Sequence, residues 1–506
     1  MPNYSHSEIM VIISALMLVM LLAALDQTIV STALPRIATD LHGLNKISWV
    51  ATAYLLTSAI TTPIYGKISD LFGRKKIFQA AIVIFLVGSV LCGISQTMNE
   101  LVIARALQGI GAGGLMSLVL AIVGDIVSPR ERGKYMGYFV GVFATSSVAG
   151  PLLGGFLTDS LSWRWVFFVN LPIGILALFA VASRLHLPVH RQEHKIDYAG
   201  TALLAASSVC LLLATVWGGT TYAWASSQII GLLAAGVALA GAFIFCEQRA
   251  EEPIIPMRLF RNDIFSVSVI LSLLSGVAMF AAILYIPLYQ QVVRGNSPTR
   301  SGLLMLPLVL GLLVASITSG RLTSKFGKYR LFPIIGTLIL SFGLWLFSHI
   351  TLTTSEWVIG AWMAIVGIGL GSFMQVMTLA IQNSVDRSEL GTATASATFF
   401  RSLGSSFGGA IFGSILISRL TQHLTATLPR GAGAPHINIT NIQSGAGLSH
   451  LPPGVAHTVL EAFARSFHDM FLLAVPFALL AFVAALFLRE TPLRGGQEPT
   501  LDEVEL

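Results

Sequence analysis

Apolar residues run in blocks of roughly twenty along most of this chain, with the charged residues gathered in the gaps between them. Inside the blocks the polar positions are mostly Ser, Thr and Gly, which a helix tolerates in lipid because its backbone hydrogen bonds close internally. The blocks predict helices over 9–34, 47–66, 76–95, 100–124, 134–158, 165–184, 198–217, 228–246, 264–288, 301–320, 331–349, 357–381, 391–418 and 467–488. Composition agrees: 54% of residues are hydrophobic and 11% charged. A soluble surface cannot be built from so little charge, so the expected class is an all-α polytopic membrane protein with fourteen spans. The stretch before Ile9 lacks Lys and Arg, so the first block reads as a span and not as a cleaved signal.

Charge sets the orientation. Lys and Arg collect in 66–76, 125–134, 184–197, 247–262, 321–330, 382–391 and the tail from Arg489. Cytoplasmic loops retain these residues, so both termini are expected in the cytoplasm of a multi-pass plasma-membrane protein. The net charge of +6 is then a matter of topology and implies no nucleic acid.

The chain also repeats. GKISDLFGRKK at 66–76 is echoed by GRLTSKFGKYR at 320–330, and Gly150 and Gly155 are echoed by Gly408 and Gly413. The division this implies is a six-helix half over 1–190, two inserted spans over 191–250, a second half over 251–490 and a tail over 491–506. Parallel halves of this kind place a binding site between them near the middle of the membrane. The segment 419–466, rich in Gly, Pro, His and Thr, is expected as a mobile outside loop with a sequon at Asn438. The inserted pair, which matches neither half, is expected at the periphery.

Four stretches carry candidate chemistry. Asp26, in LDQTIVSTALP with Pro35 closing the helix, is a carboxylate at membrane depth. Such a group costs about 2.5–3.5 kcal/mol on insertion scales, so it marks either a structural hydrogen bond or a proton site. In 66–76, Asp70 can accept from a helix N-terminus and Arg74 can pair with Asp125, making a latch. Arg105 lies inside the fourth block and either bears on the Asp26 charge or snorkels to the interface. Gly150, Pro151, Gly154 and Gly155 permit close helix contact and a bend. Gly109 to Gly114 satisfies G-x-G-x-x-G, but inside a spanning helix it reads as packing and not as a nucleotide site. No phosphate loop, metal cluster, disulfide framework or nucleophile motif is visible, so neither an enzyme nor a nucleotide-driven pump is expected.

GKISDLFGRKK resembles the signature loop of the major facilitator superfamily. LVIARALQGIGAGG (101–114), GPLLGG (150–155), LDQTIVSTALP and WRWVFFVNLPIG (163–174) are similar to signatures of its fourteen-helix drug–proton antiporters. The resemblance implies that Asp26 couples protons to export, with Arg105 linked to proton transfer. It implies that Asp70 and Arg74 hold the inner side closed, and that Gly150, Pro151, Gly154 and Gly155 form the antiporter motif. Departures are Ser146 at a glycine position of that motif, Ser324 where the first half has Asp70, and Ser31 for an amide.

Polar and aromatic candidates for a central substrate cavity are Gln27, Trp49, Tyr54, Gln108, Asn170, Tyr285, Tyr289, Gln290, Gln375 and Arg401. Aromatic faces with one carboxylate suit lipophilic cations, whereas Arg401 can attract an anionic or zwitterionic substrate. The expected function is proton-coupled export of lipophilic, chiefly cationic, drugs by alternating access. No cofactor is expected beyond the coupling proton, and the partners are a small-molecule substrate and membrane lipid, for a monomer. Export of a lipid, siderophore or metabolite, and a non-transporting sensor, remain open at this level.

Overall fold

The computed structural model describes residues 6–42, 46–185, 197–219, 221–427 and 453–493. Helices fill each of the fourteen blocks. The first six are α1 (His6–Asp40), α2 (Ile47–Phe72), α3 (Arg74–Ile94), α4 (Met98–Ile126), α5 (Pro129–Ser160) and α6 (Trp165–Arg184). The inserted pair is α7 (Tyr198–Trp217) and α8 (Ser227–Glu247). The last six are α9 (Asp263–Val292), α10 (Arg300–Phe326, broken at Met305), α11 (Leu331–Phe347), α12 (Glu356–Ser384), α13 (Leu390–Thr427) and α14 (Pro453–Leu486). Among the described residues, eleven helices are long and apolar enough to cross a membrane. Of the other three, α11 has only 17 residues, while α2 and α5 run to 26 and 32.

Local chemistry sets several boundaries. Side chains of Thr97, Asp197, Ser226, Asn262 and Ser355 accept from the first free amides of α4, α7, α8, α9 and α12. The repeated loops both turn on a glycine with positive φ, Gly73 at 94° and Gly327 at 70°, where a side chain would be strained.

In the first half α4 is the central rod, buried on almost every side between α2 and α3. Its glycines make this possible. A Cβ on Gly109 would sit 2.4 Å from the Tyr54 carbonyl oxygen, and one on Gly111 would sit 2.5 Å from the Phe85 amide. Thr57 and Thr61 of α2 donate to the carbonyls of Ala106 and Ile110 at 2.8 and 3.2 Å. The 109–114 glycine run thus serves helix packing. In the second half α9 lies on α13, and α12 lies between α10 and α11. The halves meet along two seams, α2 with α13 and α5 with α10.

Three expectations are corrected. Pro35 does not end α1, which continues to Asp40: a proline removes one backbone donor, and a long packed helix absorbs that loss. Residues 419–427 and 453–466 are helical, not loop. Leu420, Leu424, Val459 and Phe463 are buried there, and Asp469 pairs with His423 at 3.0 Å and with Arg419 at 3.7 Å. Residues 428–452, including Asn438, and 494–506 lie outside the described residues. Of the inserted pair, α8 packs on α7 and is largely exposed, as a peripheral helix would be, but α7 is not peripheral: it packs on both α2 and α13 and so straddles one seam between the halves. Leu212 is buried with Ala59 of α2 and Leu403 of α13. Thr215 and Ser406 hydroxyls are 2.9 Å apart, and Trp224 donates to Ser414 at 2.8 Å.

Candidate functional site

The Asp26 carboxylate is fully buried on α1, facing α4 and α6. Oδ2 receives the Arg105 guanidinium at 2.7 Å. Oδ1 receives the amides of Gln108 and Asn170, each at 2.8 Å. Ser89 of α3 accepts from the same two amides at 2.7 and 3.0 Å. Arg105, about two turns into α4, also donates to Gln108 at 2.6 Å and to the Val50 carbonyl at 3.2 Å. Its guanidinium carbon lies 4.1 Å from the centre of the Tyr54 ring, a cation–π contact out of water. Five helices therefore converge on one carboxylate, and each of its two oxygens is held by charge or amide donors.

This assignment moves three residues. Gln108, Asn170 and Tyr54, expected in a substrate cavity, are buried around Asp26 and Arg105 instead. The amides of Gln108 and Asn170 are engaged with the acid itself, across helices, and not turned toward a ligand. Ser89 was invisible in the sequence because a lone serine in an apolar helix carries no distinguishing pattern. Two more candidates also leave the cavity. Tyr289 donates to the Thr351 carbonyl at 2.8 Å within the core of the second half, and Gln290 accepts from Asn296 at 3.1 Å. Tyr285 donates to the Gly409 carbonyl at 2.7 Å, tying α9 to α13. Trp49 stands edge-on to Trp217 of α7, and Gln27 is exposed on α1.

The second cluster sits where the basic loops are. Asp70 pairs with Arg74 at 2.8 Å, and Arg74 reaches Asp125 through Nε. Asp70 also accepts from the Gly391 amide at 3.2 Å, the Thr392 amide at 2.7 Å and the Thr392 hydroxyl at 2.9 Å. A carboxylate of the first half thus caps the positive end of α13 in the second. Gly66 lets the helices close: a Cβ there would lie 2.8 Å from the Gly391 carbonyl oxygen. The repeat makes a matching contact on the α5–α10 seam, where a Cβ on Gly320 would lie 2.2 Å from the Gly133 carbonyl oxygen. Arg132 and Gln382 add a further bridge at 3.1 Å, with Gln382 donating to the Leu120 carbonyl at 3.0 Å. Sequence reading missed both, although the 258-residue offset of the repeat places Asn383, beside Gln382, opposite Asp125.

The glycine motif of α5 joins the first cluster. Cβ atoms on Gly150 and Gly154 would meet the hydroxyls of Thr28 and Thr32 at 2.0 and 2.2 Å, whereas one on Gly155 would meet nothing within 4 Å. Thr28, two residues past Asp26, donates to the Ser146 carbonyl at 3.0 Å, close to the Pro151 interruption of α5. A third region is a narrow pocket between α9, α12 and α13, lined by Ser272, Ser275, Met374, Met377, Thr398 and Arg401 among others. Gln375, half-buried on α12, lies outside that lining.

The family model of the Major Facilitator Superfamily matches residues 16–409. The chain belongs to the major facilitator superfamily. This superfamily member is 40% identical over 424 residues to the multidrug transporter protein MdtP of Bacillus subtilis, covering 84% of this chain and 78% of that one. It is 37% identical to multidrug resistance protein 3 of the same organism, over 97% of each chain. Its fold is similar to the proton:xylose symporter XylE, with a TM-score of 0.62 at 16% identity over 97% of this chain and 98% of that one. The human organic anion transporter MFSD10 gives 0.60 at 15% identity over 92% and 99%. It is a multi-pass membrane transporter of small molecules, and not an enzyme.

Proposed function

We propose that this transporter is a proton-coupled exporter of lipophilic drugs in the plasma membrane, with both termini in the cytoplasm. The observation that carries the reading is the fully buried Asp26 carboxylate, held by one guanidinium and two amides contributed by α4 and α6. Protonation of Asp26 removes the charge that Arg105 answers, so it loosens the grip of α1 on α4 and α6. Thr28 passes that change to α5, whose other face forms the α5–α10 seam. The basic end is latched by Asp70, Arg74 and Asp125 against α13, so this state is closed at that end, which the charge pattern assigns to the cytoplasm. A proton taken up from outside then accompanies release of the drug. At 100 mV each proton contributes about 2.3 kcal/mol, enough for a gradient of roughly fiftyfold.

Export of lipophilic cations follows if the drug reaches a carboxylate; with both oxygens of Asp26 engaged, this requires the drug to compete with Arg105. The test is flux in proteoliposomes under an imposed pH gradient, comparing the native chain with Asp26→Asn. Gradient-driven export of a lipophilic dye that vanishes in the variant supports coupling through Asp26. Equal flux in both removes Asp26 from the coupling step.

A further inference from the structure

Arg401 is the one charged side chain in the lining of the α9–α12–α13 pocket. It lies 11 residues from the start of α13, about 16 Å along the axis from the latched end, so near the middle of the membrane. Among the described residues no carboxylate lies within ion-pair distance of it. Arg105, the other arginine of the membrane interior, has Asp26; Arg401 faces only hydroxyls and apolar groups. Those hydroxyls already donate along their own helices, Ser272 to Ser268, Ser275 to Ser272 and Thr398 to Thr394. The pocket therefore presents a fork of guanidinium donors with no anion to receive it, beside Phe373, Met374 and Met377.

The backbone that carries this side chain is fixed. A Cβ on Gly276 would lie 2.3 Å from the Arg401 carbonyl oxygen, and one on Gly404 would lie 2.0 Å from the Leu273 carbonyl oxygen. Here α9 and α13 touch backbone to backbone, so the guanidinium starts from a rigid wall. A charge held unpaired at membrane depth is costly to keep, and a ligand that neutralises it offsets the cost. We propose that Arg401 is the specificity-determining residue of the substrate pocket. In this state the pocket has a volume of about 10 Å³, the space of a single water, so the ligand enters as the pocket widens in the transport cycle: Arg401 receives an anionic group, a carboxylate or sulfonate, and the Met and Phe side chains take an attached aromatic or aliphatic body. The inference rests on the export reading only in taking this pocket as the substrate route, and it turns the preferred cargo from cations to amphipathic anions and zwitterions.

Binding and flux test it separately. The purified full-length chain is offered naphthaleneacetate, its methyl ester and a naphthylmethyl trimethylammonium cation, with Kd measured by equilibrium dialysis against empty micelles. The native chain is expected to bind the carboxylate most tightly. Arg401→Gln should weaken the carboxylate about tenfold and leave the ester unchanged, and Arg401→Lys should fall between, because it keeps charge but loses the fork. Elution as a single species in size-exclusion chromatography certifies that each variant is folded, and the ester Kd certifies that its pocket is intact. A native preference for the cation, an unchanged carboxylate Kd in Arg401→Gln, or no binding of any of the three overturns the proposal. Arg401-dependent binding without flux in proteoliposomes leaves it standing and defeats the export reading instead.

Discussion

At Asp26 and Arg105 the same ion pair has two different tasks, and substitution separates them. Asp26→Asn keeps the shape and the amide contacts of the cluster while removing a proton site, so the protein is expected to fold and to lose gradient-driven flux. Arg105→Ala leaves Asp26 buried with no counter-charge. Breaking one partner of a buried pair costs about 3–5 kcal/mol, so a clear drop in detergent thermal stability is expected for this variant; Asp26→Asn also strands a charge, but Arg105 keeps the Val50 carbonyl, the Gln108 amide oxygen and the Tyr54 ring, so a smaller drop is expected there. Equal stability of the two would mean that water reaches the carboxylate. The acid and the arginine were both legible in the sequence as charges inside apolar blocks. Their partners Gln108 and Asn170 were legible only as polar residues in a membrane, and their assignment to Asp26 required the crossing of α1, α4 and α6. Ser89 was not legible at all.

Glycines act at the scale of the helix, and the α5 motif shows why their spacing alone does not rank them. Gly154 lies against Ile29 and Thr32, with the Ile29 carbonyl oxygen 2.7 Å from an added Cβ, whereas Gly155 faces open space. Gly155→Ala is expected to be neutral in both flux and melting. Gly154→Ala has to part α1 from α5, and overpacking of this kind costs about 1–3 kcal/mol, with coupled flux falling because Thr28 moves with α1. Identical behaviour of the two variants in a thermal melt would refute the packing account. The inserted helices offer a second lesson at this scale. Breaking the repeat suggested a peripheral position, yet α7 fills the α2–α13 seam with Leu212 and Thr215. Removing 198–247 is therefore expected to strip the folded, monodisperse protein from detergent extracts; a stable, active deletion would return the pair to the periphery.

For the molecule as a whole, the proposed role of the latch is to set which way the two halves lean. Asp70→Ala removes the ion pair to Arg74 and three acceptor contacts at the start of α13. A loss of about 2–3 kcal/mol from the closed basic end would shift the ratio of the two states by roughly 30- to 150-fold. Distances between spin labels at the basic ends of α2 and α13 should lengthen in this variant, and an unchanged distribution would place the closing energy on the Arg132–Gln382 bridge. The sequence by itself determined the class, the fourteen blocks, the repeat and the charges that matter, because lipid forbids unpaired backbone and polar side chains so strictly that each exception stands out. The tertiary structure alone decided which of those polar groups answer one another and which one faces a pocket without a counter-charge. Pairing depends on where helices distant in sequence cross, and a one-dimensional pattern of spans does not contain the crossings.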